Sequence, residues 1–382
     1  MKLSFFFSRG CSLQDWVSTG LFDREKLIYE EHIRSGLLDK VYWFTYGTKD
    51  EILANELHRQ GRLSAKIELL SMPNFFLVFP LGVWLYSFLL PLVYRRHLVA
   101  SDFIKTNQMD GSWSAVITKI LFKKKLIVRT GYTISRYVQL RHPSSYLKYK
   151  FWCVVEGFAY RHCDRAIVSS IHDKEYIDSL YKISNKCVVM RNYIDTDLFS
   201  PVDSGLKKLQ NFVWIGRISE EKNLFSLVDA VVKVGVTLDI YGKGELEIDL
   251  KKYIGRRKNV RLMGGVRNYE IPNILNRYGY YVLSSFHEGM PKTLLEAMSC
   301  GLVCIGTNVE GINEVIEDEV NGFLATGTSA SSLANVFERA INSPKKDLVR
   351  KCARDVICDE YSLSVIKKQE ENIIKCLHIH CH

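Results

Sequence analysis

At 382 residues, 47% hydrophobic and 25% charged, the chain is too long for one comfortable core and too ordinary in composition for disorder to dominate, so two globular domains are expected. Its 52 lysines and arginines against 42 acidic residues give a formal net charge of +10. Such a charge attracts nucleotides, nucleic acid or an acidic membrane face without choosing among them. The ten cysteines form no CxxC pair and no secretory leader is read ahead of them, so reduced thiols of a cytoplasmic protein are expected in place of a disulfide framework.

The first half alternates short apolar runs with longer amphipathic ones. Strands are expected at residues 2–7, 40–46, 66–70, 103–106, 125–129 and 165–169, with helices between them, among them 23–35 and 113–121. Residues 75–93 run nineteen positions without a charge and are followed by Arg95, Arg96 and His97. That length reaches the range of a spanning helix. Against it stand Pro80, Gly82 and Pro91, and a crossing would separate two halves of one sheet. Two readings remain open: a hydrophobic helix that is partly core and partly dips into the membrane interface, or an entirely buried crossover helix.

A further strand is expected at 187–190. An irregular stretch with Pro201, Gly205 and several Asp then reads as a linker, residues 191–208. The pattern restarts with a strand at 212–216, a helix at 224–234, strands at 237–241, 259–263, 280–283, 303–306 and 322–324, and a last helix from 363. The expected fold is α/β: two Rossmann-like domains, 1–190 and 209–362, facing across an interdomain cleft, with ligands beyond the carboxyl ends of the strands. The C-terminal helix, 363–382, could pack back on the first domain.

Residues 285–298 hold the densest chemical pattern. Glu288 and Glu296 stand eight positions apart, separated by Gly289, Met290, Pro291, Lys292 and Thr293 at a turn that enters a helix. Strand, Gly turn and helix N-terminus make an anion site, because unpaired amides and the helix dipole converge there. Gly216, Arg217 and Lys222 follow the first strand of the same half, and a guanidinium fork with a flexible ammonium suits a diphosphate. The pair Asp195 and Asp197 has the look of a metal chelate but lies in the linker, where turn-forming Asp is expected. The Cys/His-containing end, 376–382, fits no zinc spacing. No metal and no cofactor are expected.

Together, residues 216–223 and 288–296 resemble the retaining glycosyltransferases of family 4, which have the GT-B fold. Supporting stretches are 238–245, 301–323, and Asn192 to Asp195 with Phe199 and Pro201. The resemblance implies that Arg217 and Lys222 hold the donor pyrophosphate and that Glu288 contacts the donor sugar. Glu296 would bind the ribose, the amides of 289–293 the phosphate next to the sugar, and Val266 and Arg267 would border the nucleobase. In the first half, residues 106–111 and 129–132 resemble a subgroup of bacterial surface-polysaccharide assembly, which puts Asp110, Arg129 and Tyr132 on the acceptor side. The implied partners are a nucleotide sugar and a lipid-linked or oligosaccharide acceptor, at the cytoplasmic face of the inner membrane. Scattered basic residues argue against nucleic acid. A sugar-nucleotide 2-epimerase of the same fold and a non-catalytic nucleotide-sugar-binding subunit are the alternatives.

Overall fold

The computed structural model describes residues 1–141, 144–202 and 208–379. Gly205 and the closing His380, Cys381 and His382 therefore lie outside the described residues. The chain forms two units, Met1–Met190 with Lys367–His382, and Arg191–Ile366.

The first unit is a seven-stranded parallel sheet in the order β3-β2-β1-β4-β5-β6-β7. Its strands are β1 (Lys2–Phe6), β2 (Lys40–Phe44), β3 (Ile67–Leu70), β4 (Phe103–Thr106), β5 (Lys125–Arg129), β6 (Arg165–Val168) and β7 (Cys187–Val189). All the strands expected in this half are present, with ends displaced by one or two residues. Both sheet faces are covered, so the strands are apolar at successive positions instead of alternating. Phe5 packs with Trp16, Tyr29 and Trp43 on one face. Phe6, Phe44, Ile104 and Val128 share the opposite face with Tyr86, Leu90, Val116 and Tyr160. The helix expected at 23–35 divides at Lys26 into Leu21–Glu25 and Leu27–Arg34.

Residues 75–93 are neither a spanning helix nor a fully buried one. A 3-10 turn, Asn74–Val78, is followed by a break and a separate helix, Gly82–Val93. Pro91 cannot donate to the Ser87 carbonyl, and the Ser114 hydroxyl of the neighbouring helix takes that acceptor instead. Phe76, Tyr86 and Leu90 are buried, whereas Leu81, Leu85, Phe88 and Leu92 are exposed. Among the described residues no helix is long and apolar enough to cross a membrane.

The second unit is a six-stranded parallel sheet in the order β10-β9-β8-β11-β12-β13. It comprises β8 (Lys208–Ile215), β9 (Thr237–Tyr241), β10 (Val260–Gly264), β11 (Tyr278–Leu283), β12 (Val303–Thr307) and β13 (Phe323–Ala325). The stretch read as a linker is fastened to this unit over its described part. Arg354 donates to the carbonyls of Thr196, Phe199 and Ser299, Ile194 bridges Ser362, and Phe199 is buried in the core.

The last helix, Leu363–Ile379, groups with the first unit from Lys367 onward. There Glu370 is buried against Lys105 of β4 and the His32 ring, 3.1 Å away. Burial opposes its ionisation, but the Lys105 ammonium and His32 outweigh that and hold the carboxyl well below its ordinary range.

Candidate active site

In each sheet the strand order reverses direction once. In the second unit β9 and β10 lie to one side of β8 and β11 to the other. The loops after β8 and β11 therefore part at the carboxyl edge and leave a crevice, the position where open parallel sheets hold ligands. Those two loops carry Gly216, Arg217 and Lys222 on one side, and Glu288 to Pro291 on the other.

Side chains and backbone tie the loops together. Asn223, in the left-handed region at φ 53°, donates through its amide to the Ser284 carbonyl at 3.1 Å and the Thr328 carbonyl at 2.7 Å. Phe286 donates its amide to the Glu221 carbonyl, and the Ser284 hydroxyl donates to the Lys222 carbonyl. The Lys222 ammonium is thereby brought to Glu288, Nζ to Oε1 2.6 Å, and the Ser285 hydroxyl donates to the same oxygen at 2.6 Å. Both partners of this ion pair are mostly shielded from water.

Glu288 itself rests on the loop after β12. Its amide donates to the Glu310 carbonyl at 3.3 Å. Gly311, at φ +78°, lies so close that a Cβ there would stand 2.2 Å from the Gly289 carbonyl oxygen. Only a glycine permits both the dihedral and the approach.

Beyond the turn, the helix Lys292–Ser299 starts at Pro291, which supplies no side-chain cap. Leu294 and Leu295 bond back to the Pro291 carbonyl, so the preceding amides have no intrahelical acceptor and suit an anion. Met290 is buried, and its carbonyl accepts from the Asn192 amide at 3.2 Å. Glu296 is buried one turn into the helix. On β11 the Tyr281 hydroxyl donates to Thr293 Oγ1 at 2.8 Å. Burial, opposed by the Thr293 hydrogen bond, pushes the Tyr281 phenol well above its ordinary value, with smaller contributions from Cys304, Glu288 and Glu296.

The remaining donor-side expectations sit at the same carboxyl edge. Arg217 is exposed directly after Gly216, and its guanidinium has no partner among the described residues. Val266 is half-buried against the core and Arg267 is exposed, its guanidinium 2.9 Å from the Tyr269 hydroxyl. The Lys243 methylenes pass over the neighbouring Gly265.

In the first unit the reversal falls between β1 and β4. Asp110 is there, held in two-pronged fashion by Arg9, Nε and Nη2 each 3.0 Å from a carboxylate oxygen. Burial still pushes its carboxyl above the ordinary value, against the pull of Arg9. Arg9 stacks 3.9 Å over the Trp84 ring, which stacks in turn on Trp113. Arg129 ends β5, its amide and carbonyl both bonded to Thr106 Oγ1. Tyr132 is exposed beside Tyr137. Arg9, Asn223 and Gly311 were not singled out from sequence, because their partners lie far along the chain.

Asp195 accepts the amides of Asp197 and Leu198, an ordinary Asx turn. No group of three or more His, Cys, Asp or Glu among the described residues is arranged to hold a metal.

The two parallel-sheet Rossmann-like units have the GT-B fold. The solved structure of Anabaena Alr3699/HepE in complex with UDP and glucose superposes with a TM-score of 0.76 at 19% identity, covering 98% of this chain and all of that one. Residues 201–354, most of the second unit, match the family model described as glycosyl transferases group 1. The chain is 32% identical over 261 residues to the Escherichia coli UDP-Gal:alpha-D-GlcNAc-diphosphoundecaprenol alpha-1,3-galactosyltransferase, covering 63% of this chain and 65% of the relative. It is 25% identical to the alpha-D-kanosaminyltransferase of Streptomyces kanamyceticus, over 70% of this chain and 75% of that one. The chain spans between about half and two thirds of the length of the first curated relatives. By fold and by sequence it is related to the group 1 glycosyltransferases.

Proposed function

We propose that the chain is a retaining, metal-independent glycosyltransferase of family 4 that moves a sugar from a nucleotide diphosphate to a lipid-linked surface glycan on the cytoplasmic side of the membrane. The observation that carries this reading is the Lys222–Glu288 pair, braced by Ser285, beside the uncapped start of the Lys292–Ser299 helix. The UDP and glucose of the Anabaena structure and the diphosphoundecaprenol-linked acceptor in the E. coli relative's name support it.

In this reading Arg217 and Lys222 grip the donor diphosphate while the amides of 289–293 hold its sugar-side phosphate. Glu288 takes sugar hydroxyls, Glu296 the ribose, and Val266 and Arg267 border the base. The bond from the anomeric carbon to the phosphate oxygen breaks, and its electron pair stays with the diphosphate. Cations fixed there favour the transition state over the bound donor. The acceptor hydroxyl attacks from the departing face and gives its proton to the leaving phosphate. Asp110, Arg129 and Tyr132 are assigned to the acceptor side.

A thermal-shift screen of UDP-, GDP-, ADP- and dTDP-sugars identifies the donor, since a bound ligand raises the melting temperature by mass action. Glu288→Gln should keep the shift given by the free nucleotide diphosphate and lose transfer by about 10²–10³-fold. Turnover undiminished in that variant would overturn the assignment.

A further inference from the structure

Many of the exposed apolar residues of the first unit fall into two rows. On the helix Gly82–Val93 and the residue before it, Leu81, Leu85, Phe88 and Leu92 are exposed at the spacing i, i+4, i+7, i+11, which is one side of a helix. On the helix Tyr146–His162, Leu147, Phe151, Val154 and Phe158 repeat the same spacing and are also exposed. Between these two helices lies Ser112–Phe122, largely buried and packed against both, with Ile120 and Leu121 exposed at its end. All three cover the same sheet face. The result is two parallel apolar stripes on one side of the unit, Leu81 being 69% and Leu147 84% exposed.

The stretch of chain that builds this side is strongly basic. Between β3 and β6, residues 71–164, the chain has thirteen lysines and arginines against four acids, and thirteen less four is +9 of the chain's total +10. Of the four acids, three are paired or buried, whereas Asp102 is exposed and keeps its charge. Asp102 accepts the Lys2 amide, Asp110 is clamped by Arg9, Asp164 is paired with Lys119, and Glu156 is fully buried. Arg95, Arg96, Lys123, Lys148 and Lys150 are exposed around the stripes, and Leu92, Val93, Arg95 and Arg96 line one shared hollow.

We propose that this side docks onto a lipid bilayer rich in anionic headgroups, with the stripes entering the interface and the cations among the headgroups. A second copy is a poor occupant, because a two-fold contact would set like charge against like charge. The inference deepens the function proposed above, on which it rests only for the acceptor. Crossover helices run antiparallel to their strands, so the starts of Gly82–Val93 and Tyr146–His162 lie toward the carboxyl edge that carries Asp110. Trp84, on the first of these helices, holds Arg9 on its ring. A lipid-linked acceptor entering from the bilayer would meet that edge first.

The test is co-sedimentation of the full chain with phosphatidylcholine vesicles, with and without phosphatidylglycerol. Binding is expected only with the anionic lipid and should weaken as salt is raised. Arg95→Gln with Arg96→Gln should lower partitioning by roughly thirtyfold, and Leu85→Ser with Phe88→Ser by about tenfold or more. Circular dichroism should be unchanged, since all four side chains are exposed. Failure to bind anionic vesicles, partitioning untouched by both double variants, or a concentration-dependent dimer that the apolar variant abolishes would each overturn the proposal. Donor turnover onto a water-dissolved acceptor is measured in parallel. Turnover without vesicle binding sinks the docking side alone, and vesicle binding without turnover sinks only the transferase reading.

Discussion

Replacing Gly311 by Ala tests whether the seating of Glu288 depends on a backbone contact outside its own loop. At φ +78° an alanine costs about 1–2 kcal/mol of left-handed strain. Its Cβ would also stand 2.2 Å from the Gly289 carbonyl oxygen and 2.6 Å from that of Glu288, where real Cβ atoms keep at least 3.0 Å. The difference, 3.0 less 2.2, requires a shift of 0.8 Å or more by one loop or the other. If the 308–313 loop withdraws, the bond from the Glu288 amide to the Glu310 carbonyl is lost; if the turn withdraws, Glu288 moves off Lys222. A misplacement near 1 Å at a reacting group costs on the order of 10²-fold in rate.

Gly235 supplies the control. It has φ +79° with no atom within 4 Å of an added Cβ, and it caps a helix at the opposite edge of the sheet. Gly235→Ala should therefore lose only the strain energy, seen as a lower melting temperature, with nucleotide-induced thermal shift and turnover preserved. Gly311→Ala should lose more stability and about 100-fold in turnover. If the two variants turn over alike, the contact does not position Glu288 and the reasoning fails.

Lys222→Met should lower donor turnover by about 10²–10³-fold and weaken nucleotide diphosphate binding, because it removes a cation from the leaving group and leaves Glu288 with Ser285 alone; a loss of only a few-fold in a nucleotide-release assay would contradict this. The Glu370 carboxyl has a folded value below its ordinary 4.5, so its stabilising contribution is complete above that value and is lost as pH falls from there through the folded value. Urea midpoints should accordingly drop in acid, and Glu370→Gln should lower the neutral-pH stability by about 3–5 kcal/mol, since Lys105 would stay buried without its counter-charge. It should also flatten the acid dependence; an unchanged neutral midpoint would contradict the assignment.

What was legible in the sequence follows the range of the interactions. Strands such as Phe103–Thr106 and Thr237–Tyr241 are short apolar runs whose buried faces are encoded locally, and they appear at the expected positions. The 288–296 turn was legible because strand, glycine, proline and helix follow one another within a few residues. Arg9 was not, because its carboxylate partner is 101 positions away, nor was Asn223, which reaches Thr328 across 105. Residues 75–93 illustrate a different limit. Their uniform hydrophobicity hides which side faces the sheet, and the division into Leu90 inside and Leu81, Leu85 and Phe88 outside emerges only when the 3-10 turn breaks the run.

The two reversal points differ in how far their cations are committed, and that difference favours the second unit for the diphosphate proposed above. Each point carries a cation paired with a carboxylate: Arg9 with Asp110, and Lys222 with Glu288. In the first unit the guanidinium is already committed, with Nε and Nη2 on both oxygens of Asp110 and its face against Trp84. A diphosphate there would have to displace a two-pronged ion pair from a partly buried position. In the second unit Lys222 gives one of three ammonium protons to Glu288, the exposed guanidinium of Arg217 stands nearby in sequence, and the amides opening the Lys292–Ser299 helix have no acceptor within it. One reversal point is closed by its own charges on an aromatic floor. The other leaves two ammonium protons of Lys222 and the exposed Arg217 guanidinium uncommitted among the described residues, which is why the proposed leaving diphosphate is assigned to it.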